Sequence, residues 1–372
     1  MPETTTAADP VPARTTRPLA GLVGGLVRGV ADRMATPLRS DDYLGLLDPL
    51  WSARSLRGRI VEVVPETEDA VTLVIEPGRG WTPGHRPGQY VGIGVQVEGR
   101  WVWRSYSITS QPQRGRHRIS ITVKAMPEGR LSGHLVRGVG PGTVVRLALP
   151  QGGFVLPDPP PAKVLFWTGG SGVTPVMAML RTLDRRGTMP DVVHVVSAPS
   201  RDRCIFGDEL RDLAAAHPGL RLVERYDDVD GVFDPAGLDE VCADWREREV
   251  WACGPAPLLA AAEAHWAAAG LADRLHVERF AVERSATAEG GRVTFARSGR
   301  TVDADGATSL LEAGERAGVP MPFGCRMGTC HTCVIPLAEG RARDLRNGNE
   351  YHADQGVQTC ITAAAGDCTV DA

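Results

Sequence analysis

The chain has 372 residues, enough for two or three domains with substantial cores. Its formal net charge of −4 leaves no basic footprint for nucleic acid. No apolar run approaches the roughly 20 residues that span a bilayer, so membrane contact would be peripheral at most.

Residues 1–50 read as an N-terminal tail followed by a helix. Positions 1–17 are expected to be disordered. Leu19, Leu22, Val23, Leu26, Val27, Val30 and Met34 then follow one helical face, with Arg28 and Arg33 off it. Gly21, Gly24, Gly25 and Gly29 weaken that helix. It is expected to dock on its own protein, with a membrane-surface or partner-docking role as the alternative. Arg28 ends the apolar run without a clear cleavage site after it, which disfavours a secretory signal and favours a cytoplasmic protein.

Residues 51–155 read as a small antiparallel β-barrel. Arg59–Val64 and Ala70–Ile75 form a hairpin around Pro65 to Asp69. Further strands are expected at Tyr90–Val97, Trp101–Thr109, Arg118–Lys124 and Thr143–Leu149, with one helix at Leu131–Arg137. A proline-rich stretch, 156–162, separates this part from residues 162–283. There strand and helix patterns alternate, which predicts a parallel α/β sheet. Its strands are expected at Val164–Trp167, Val192–Val196, Leu220–Glu224, Val250–Cys253 and His276–Glu278. Phe206–Ala216 and Pro257–Ala269 read as two of its helices. A polar linker, 284–291, leads to a third part, residues 291–372.

The motifs sit at the ends of these elements. Arg104-Ser105-Tyr106-Ser107 closes a barrel strand. A guanidinium offers a permanently charged fork that suits phosphate, and a tyrosine offers apolar area with a polar tip. The ordinary alternatives are a surface ion pair and barrel core. Thr168-Gly169-Gly170-Ser171-Gly172-Val173-Thr174-Pro175 joins a strand to a helix. Its glycines would let a phosphate approach the backbone, and Thr174 would cap the helix that Pro175 begins. Cys253-Gly254-Pro255 ends a later strand, where ligands bind in open parallel sheets. Read alone, Cys253 is a buried thiol. Ser197, Arg201 and Arg203 follow the second parallel strand and would suit the 2′-phosphate of NADPH, while Asp202 leaves NADH open.

The third part carries Cys325, Cys330, Cys333 and Cys360, spaced C-x4-C-x2-C with one distant cysteine. This is the ligand pattern of a plant-type [2Fe–2S] cluster. A zinc site usually shows two short pairs, and Cys360 has no close partner. Ser309–Glu315 reads as a short helix before the cluster loop. Gly324 and Gly328 would let backbone N–H groups turn toward sulfur.

Barrel, sheet and R-x-Y-S motif together resemble the ferredoxin–NADP reductase superfamily over about residues 55–280. Leu311 to Cys333 resembles the ferredoxin domain at the C-terminus of some oxygenase reductases. The resemblance implies three folds: a flavin barrel, an α/β nicotinamide domain and an α+β β-grasp ferredoxin domain, in the order of phthalate dioxygenase reductase-like proteins. It implies a role for each motif residue. Arg104 would pair with a flavin phosphate, Tyr106 would lie against the isoalloxazine, Ser107 would hydrogen-bond near N5, and Ser105 belongs to the same flavin-holding motif. Gln89 and Tyr90 belong to the matching strand before the motif. Gly129, Leu131 and Ser132 match the pyrophosphate turn, which favours FAD over FMN. Gly170, Gly172 and Thr174 match the nicotinamide turn. Cys253 and Gly254 would lie beside the nicotinamide, with Ser107 and Cys253 at the reacting atoms, and Phe280 would cover the flavin.

The implied activity is NAD(P)H-dependent electron transfer through FAD and a [2Fe–2S] cluster to a protein acceptor. The closest style is that of reductases feeding membrane di-iron fatty-acid desaturases or alkane hydroxylases. A Rieske dioxygenase or a cytochrome P450 is an alternative acceptor. A flavin and iron–sulfur redox sensor, or a flavin reductase with a structural zinc, are readings of another class.

Overall fold

A computed structural model describes residues 40–52, 56–81, 84–97, 100–113, 117–127, 129–280, 286–323, 326, 328 and 331–372. The tail and the apolar helix expected within residues 1–34, Gly324, and Cys325 and Cys330, two of the four expected cluster cysteines, lie outside the described residues.

The first sheet is built from β1 (Arg57–Thr67), β2 (Ala70–Pro77), β3 (Tyr90–Val97), β4 (Arg100–Ser107), β5 (Ile119–Lys124) and β6 (Val144–Leu147). Their order is β4-β3-β6-β1-β2-β5. A bridge between Ile108 and Ile121 joins the two edges, so the sheet closes into a barrel. Ile60, Leu73, Ile93, Ile108 and Ile121 fill its interior with no exposed surface. Each such side chain contributes roughly 1.5–3 kcal/mol of burial. The hairpin turns at Glu68-Asp69 and not at Pro65, which stays inside β1 opposite Val71. The ladder tolerates this proline because the register shifts directly after it. Helix α1 (Arg130–Arg137) packs against β5 and β3.

The second sheet contains β7 (Lys163–Gly169), β8 (Asp191–Ala198), β9 (Leu220–Tyr226), β10 (Glu249–Cys253) and β11 (Leu275–Glu278). All neighbours are parallel, in the order β11-β10-β7-β8-β9. The chain leaves β7 for β8 on one side and later returns to β10 on the other. That reversal opens a crevice at the carboxyl ends of β7 and β10. Helix α2 (Val173–Arg186) lies under the sheet with Val176, Met177 and Leu180 fully buried. Gly187, at φ 63°, ends it, with Gly187 N–H donating to Asp184 O and Thr188 N–H to Leu183 O. Helices α3 (Gly207–Ala216) and α4 (Ala256–Ala268) complete the layers. Ala70 from the barrel and Phe154 and Leu156 from the connecting stretch belong to the same buried cluster as α2. The barrel and the parallel sheet therefore share apolar surface.

The third sheet contains β12 (Gly291–Phe295), β13 (Arg300–Ala304), β14 (Val334–Asp344), β15 (Glu350–His352) and β17 (Thr362–Val370), with β16 (Gly356–Gln358) paired to β14. It mixes antiparallel pairs with the parallel pair β12–β17. Helix α5 (Leu310–Arg316) crosses it. Its start is a capping box: Ser309 Oγ accepts from Glu312 N–H, and the Glu312 carboxylate accepts from Ser309 N–H. Leu310, Leu311 and Ala313 then point into the core with Phe295, Leu337 and Ile361.

Candidate active site

β4 delivers the R-x-Y-S residues to a cavity of about 1540 Å³ bounded by all three sheets' domains. Arg104 to Ser107, Gly129, Leu131 and Ser132 line the barrel side. Gly170, Thr174, Gly254 and Phe280 line the parallel-sheet side, and Glu315, Met321, Phe323 and Arg326 line the third.

The polar chemistry of this cavity suits a bound flavin dinucleotide. Ser105 Oγ and Ser107 Oγ are enclosed with no hydrogen-bond partner among the described residues. Such atoms cost about 1–3 kcal/mol each unless a ligand satisfies them. Arg104 donates to its neighbour's carbonyl, Trp103 O, at 2.8 Å and keeps an open face. Enclosure of its other side, and then the like charge of Arg326, push its pKa below the ordinary guanidinium value. Two cations facing one cavity are stabilised by an anion between them. Burial pushes the Tyr106 phenol well up, so it stays protonated and presents an O–H.

The turn at Gly129 is tight. A Cβ there would stand 2.2 Å from Ser132 Oγ. Ser132 Oγ donates to Gly129 O at 3.1 Å and accepts from Met126 N–H at 3.1 Å. Ser132 thus shapes the turn with its side chain, and Gly129, Leu131 and Ser132, at the start of α1, line the cavity, where first-turn N–H groups favour an anion.

The glycine turn after β7 meets the end of β10 at the crevice. A Cβ on Gly172 would lie 2.0 Å from Cys253 O and 2.7 Å from Gly254 N, so only glycine lets the two strands' exits touch. Thr174 is not a cap. It lies inside α2, its Oγ1 donating to Ser171 O at 2.9 Å, because the helix begins at Val173, ahead of the expected start at Pro175. Ser197 sits beside Gly169 in the parallel ladder, with an enclosed and unpartnered Oγ. Arg201 and Arg203 stand exposed on the turn that follows, and Arg203 approaches Glu68 of the barrel at 3.8 Å.

Some expected residues stand elsewhere. Gln89 and Tyr90 do not line the cavity. The Gln89 amide accepts from Arg86 N–H at 2.8 Å, and Tyr90 is buried against Gly152. Cys253 is fully buried behind Gly254, and burial pushes its thiol pKa well up. Phe280 is at the cavity and 40% exposed.

Three residues emerged only in three dimensions. Glu278 ends β11 opposite Cys253 in the parallel ladder. Its Oε2 is enclosed with no hydrogen-bond partner among the described residues, and burial pushes its pKa up to about 8. A carboxylate among the apolar residues of a short parallel strand was the available signal. Phe323 and Arg326, beside the first cluster cysteine, reach across to the barrel. Trp103 and Phe323 meet with ring centroids 6.4 Å apart, and the Arg326 guanidinium stacks 4.1 Å over Phe323 while pairing with Glu315. Nothing in the local sequence indicates that reach.

Cys333 and Cys360 lie on either side of one hydrogen-bonded loop. Thr359 donates both its N–H and its hydroxyl to Cys333 O, each at 3.1 Å. Their sulfurs come to 3.2 Å, beyond the roughly 2.05 Å of a disulfide. Two buried, unbonded sulfurs this close are near enough to ligate one metal ion, which suits the iron–sulfur pattern.

Comparison with known proteins agrees with this geometry. Residues 293–365 match the model of a 2Fe-2S iron-sulfur cluster binding domain, and residues 79–156 match that of an oxidoreductase FAD-binding domain. An NADPH oxidoreductase of Mycobacterium tuberculosis is 57% identical over 348 residues, covering 93% of this chain and 92% of the relative. The stachydrine N-demethylase reductase subunit Stc4 of Rhizobium meliloti is 30% identical, over 76% of this chain and 86% of its own. Among solved structures, phthalate dioxygenase reductase superposes with a TM-score of 0.60 at 21% identity, over 85% of this chain and 97% of that one. The protein belongs to the oxygenase reductase components, in which an FAD-binding barrel and a nicotinamide-binding domain precede a C-terminal [2Fe–2S] ferredoxin domain.

Proposed function

We propose that this reductase draws its electrons from NADPH and supplies them singly to a membrane di-iron fatty-acid desaturase or alkane hydroxylase. The observation that carries the electron-transfer reading is the single cavity shared by the R-x-Y-S strand, the carboxyl ends of β7 and β10, and the stretch leading into the cluster loop. When bound, flavin and cluster supply the conversion of a two-electron donor into single electrons.

The chain's residues bind and orient. Arg104 and the N–H groups opening α1 are assigned to flavin phosphates, and Ser105 and Ser107 to the ring's polar edge. Tyr106 and Phe280 would flank the reacting face and exclude water. Glu278, neutral at pH 7, would hold a proton at its carboxyl and offer it as a hydrogen bond beside Cys253. Ser197, Arg201 and Arg203 are assigned to the 2′-phosphate, a reading supported by their common position at the carboxyl end of β8 and the turn that follows it. NADH remains the alternative donor because Asp202 stands between the two arginines.

The membrane acceptor is supported by the apolar, arginine-flanked pattern of residues 19–34. A Rieske dioxygenase or a P450 is the second reading, favoured by the likeness to an N-demethylase reductase subunit. An anaerobic titration of the cofactor-replete protein with NADPH, and in parallel NADH, followed by optical absorption and low-temperature EPR, tests the donor and the relay. Flavin bleaching with a reduced [2Fe–2S] signal is expected. Bleaching without that signal would overturn the relay. Reconstituted turnover with each acceptor class tests the partner.

A further inference from the structure

Beneath the cluster loop lies a polar network that the electron-transfer reading leaves unused. Asp344, at the end of β14, has no exposed surface. Arg346 wraps it: Arg346 N–H donates to Oδ1 at 2.8 Å, Nε to Oδ1 at 3.1 Å and Nη2 to Oδ2 at 2.8 Å. The far side of the same guanidinium faces the cluster loop. Arg346 Nη1 donates to Gly328 O at 3.4 Å and Nη2 to Gln358 Oε1 at 3.3 Å. Gln358 Nε2 donates to Gly328 O at 2.9 Å and lies 3.2 Å from His331 Nδ1.

The placement in sequence gives this network its meaning. Gly328 lies between Cys325 and Cys330, His331 follows Cys330, and Gln358 precedes Cys360 by two residues. One guanidinium therefore ties the three-cysteine loop to the lone fourth cysteine. Gly328 is left-handed at φ 72°, and a Cβ there would come within 2.7 Å of Arg346 Nη1. The loop closes directly onto the arginine.

The order of charges is also defined. The hydrogen bonds to Asp344 chiefly hold Arg346 charged, against the cost of burial. The cationic member of the pair is the one hydrogen-bonded to Gly328 and Gln358, whereas the Asp344 carboxylate accepts from Arg346 and Tyr351. A positive charge beside a thiolate-held centre favours its electron-rich form.

Resting on the iron–sulfur reading, we propose that Arg346 is a positioning residue that raises the midpoint potential of the [2Fe–2S] centre, with Asp344 as its opposing counter-charge and Gln358 as its link to the loop. The two charges pull in opposite directions. Arg346→Gln lowers the potential, and Asp344→Asn raises it by leaving Arg346 unopposed.

The test is a potentiometric titration of the full-length holoprotein monitored by EPR, with iron and acid-labile sulfide assayed on each preparation. At a given solution potential, Arg346→Gln should show about a tenfold lower ratio of reduced to oxidised cluster, equal to 59 mV for one electron. Asp344→Asn should show a severalfold higher ratio, and Arg346→Lys should stay close to wild type. Arg346 is 35% exposed whereas Asp344 is fully buried, so Asp344→Asn leaves its unopposed charge in reach of solvent and carries the measurement if Arg346→Gln fails to fold. Unchanged potentials, or shifts of the same sign in both variants, would overturn the proposal while leaving the cluster in place. Wild-type protein free of iron and labile sulfide would instead overturn the cluster reading together with it.

Discussion

Trp103 of β4 and Phe323, ahead of the cluster loop, meet edge to face with ring planes 78° apart. This contact holds the ferredoxin domain against the strand that carries Arg104 and Tyr106. Such a pair contributes about 1 kcal/mol beyond its burial, roughly a fivefold bias toward the docked arrangement. Phe323→Ala should slow NADPH-driven cytochrome c reduction severalfold. Ferricyanide reduction, which can draw on the flavin directly, should change little. Equal losses with both acceptors would show that the contact serves folding alone.

Cys330→Ser separates the two halves of the relay. Flavin bleaching by NADPH should stay near wild type, and cytochrome c reduction should fall to a small residue. Stopped-flow absorption and steady-state assays read the two quantities. Preserved delivery to cytochrome c would mean that electrons leave from the flavin.

Arg201→Ala tests the nucleotide assignment. A hydrogen bond to a charged phosphate is worth about 1.5–3 kcal/mol, so the KM for NADPH should rise about 10–100-fold. The KM for NADH should move little. Equal increases for both would remove Arg201 from the 2′-phosphate site.

Glu278 gives the protein a pH signature. Its ordinary pKa of 4.5 is raised to about 8 by burial. Between those values the native state holds more protons than the unfolded state, so this group's contribution to stability falls as pH rises. Glu278→Gln should match wild type below about pH 4.5 and become progressively more stable than it up to about pH 8. Thermal melts of both proteins across that range measure the difference. A constant difference would place the titration elsewhere.

Gly172→Ala should be costly although its backbone is ordinary helical, at φ −61°. The added methyl meets the Cys253 carbonyl, so β10 must retreat from the turn. A loss of about 1–3 kcal/mol is expected, with weaker binding of both nicotinamides. Denaturant melts and KM values check this. Wild-type stability would show that the crevice has slack.

The strands and helices were legible because their signals are local. Alternation over Tyr90–Val97, glycines between β7 and α2, and the serine and glutamate that cap α5 each act within a few residues. Misplacements followed from nonlocal causes. Pro65 reads as a turn residue, but a register shift in β1 accommodates it, and Thr174 reads as a cap until the helix starts at Val173, ahead of it. Gln89 and Tyr90 fit the motif strand, yet that strand turns their side chains toward the linker side of the barrel.

Sequence alone determined the chemistry: cysteine spacing, a guanidinium beside two serines, and a glycine turn specify which groups are available, since ligand type and backbone freedom belong to single residues. Tertiary structure decided their environment. It enclosed Glu278, set Arg326 opposite Arg104, and placed Arg346 between Asp344 and the cluster loop. Burial and like-charge contact depend on segments far apart in the chain, and only packing brings them to one point.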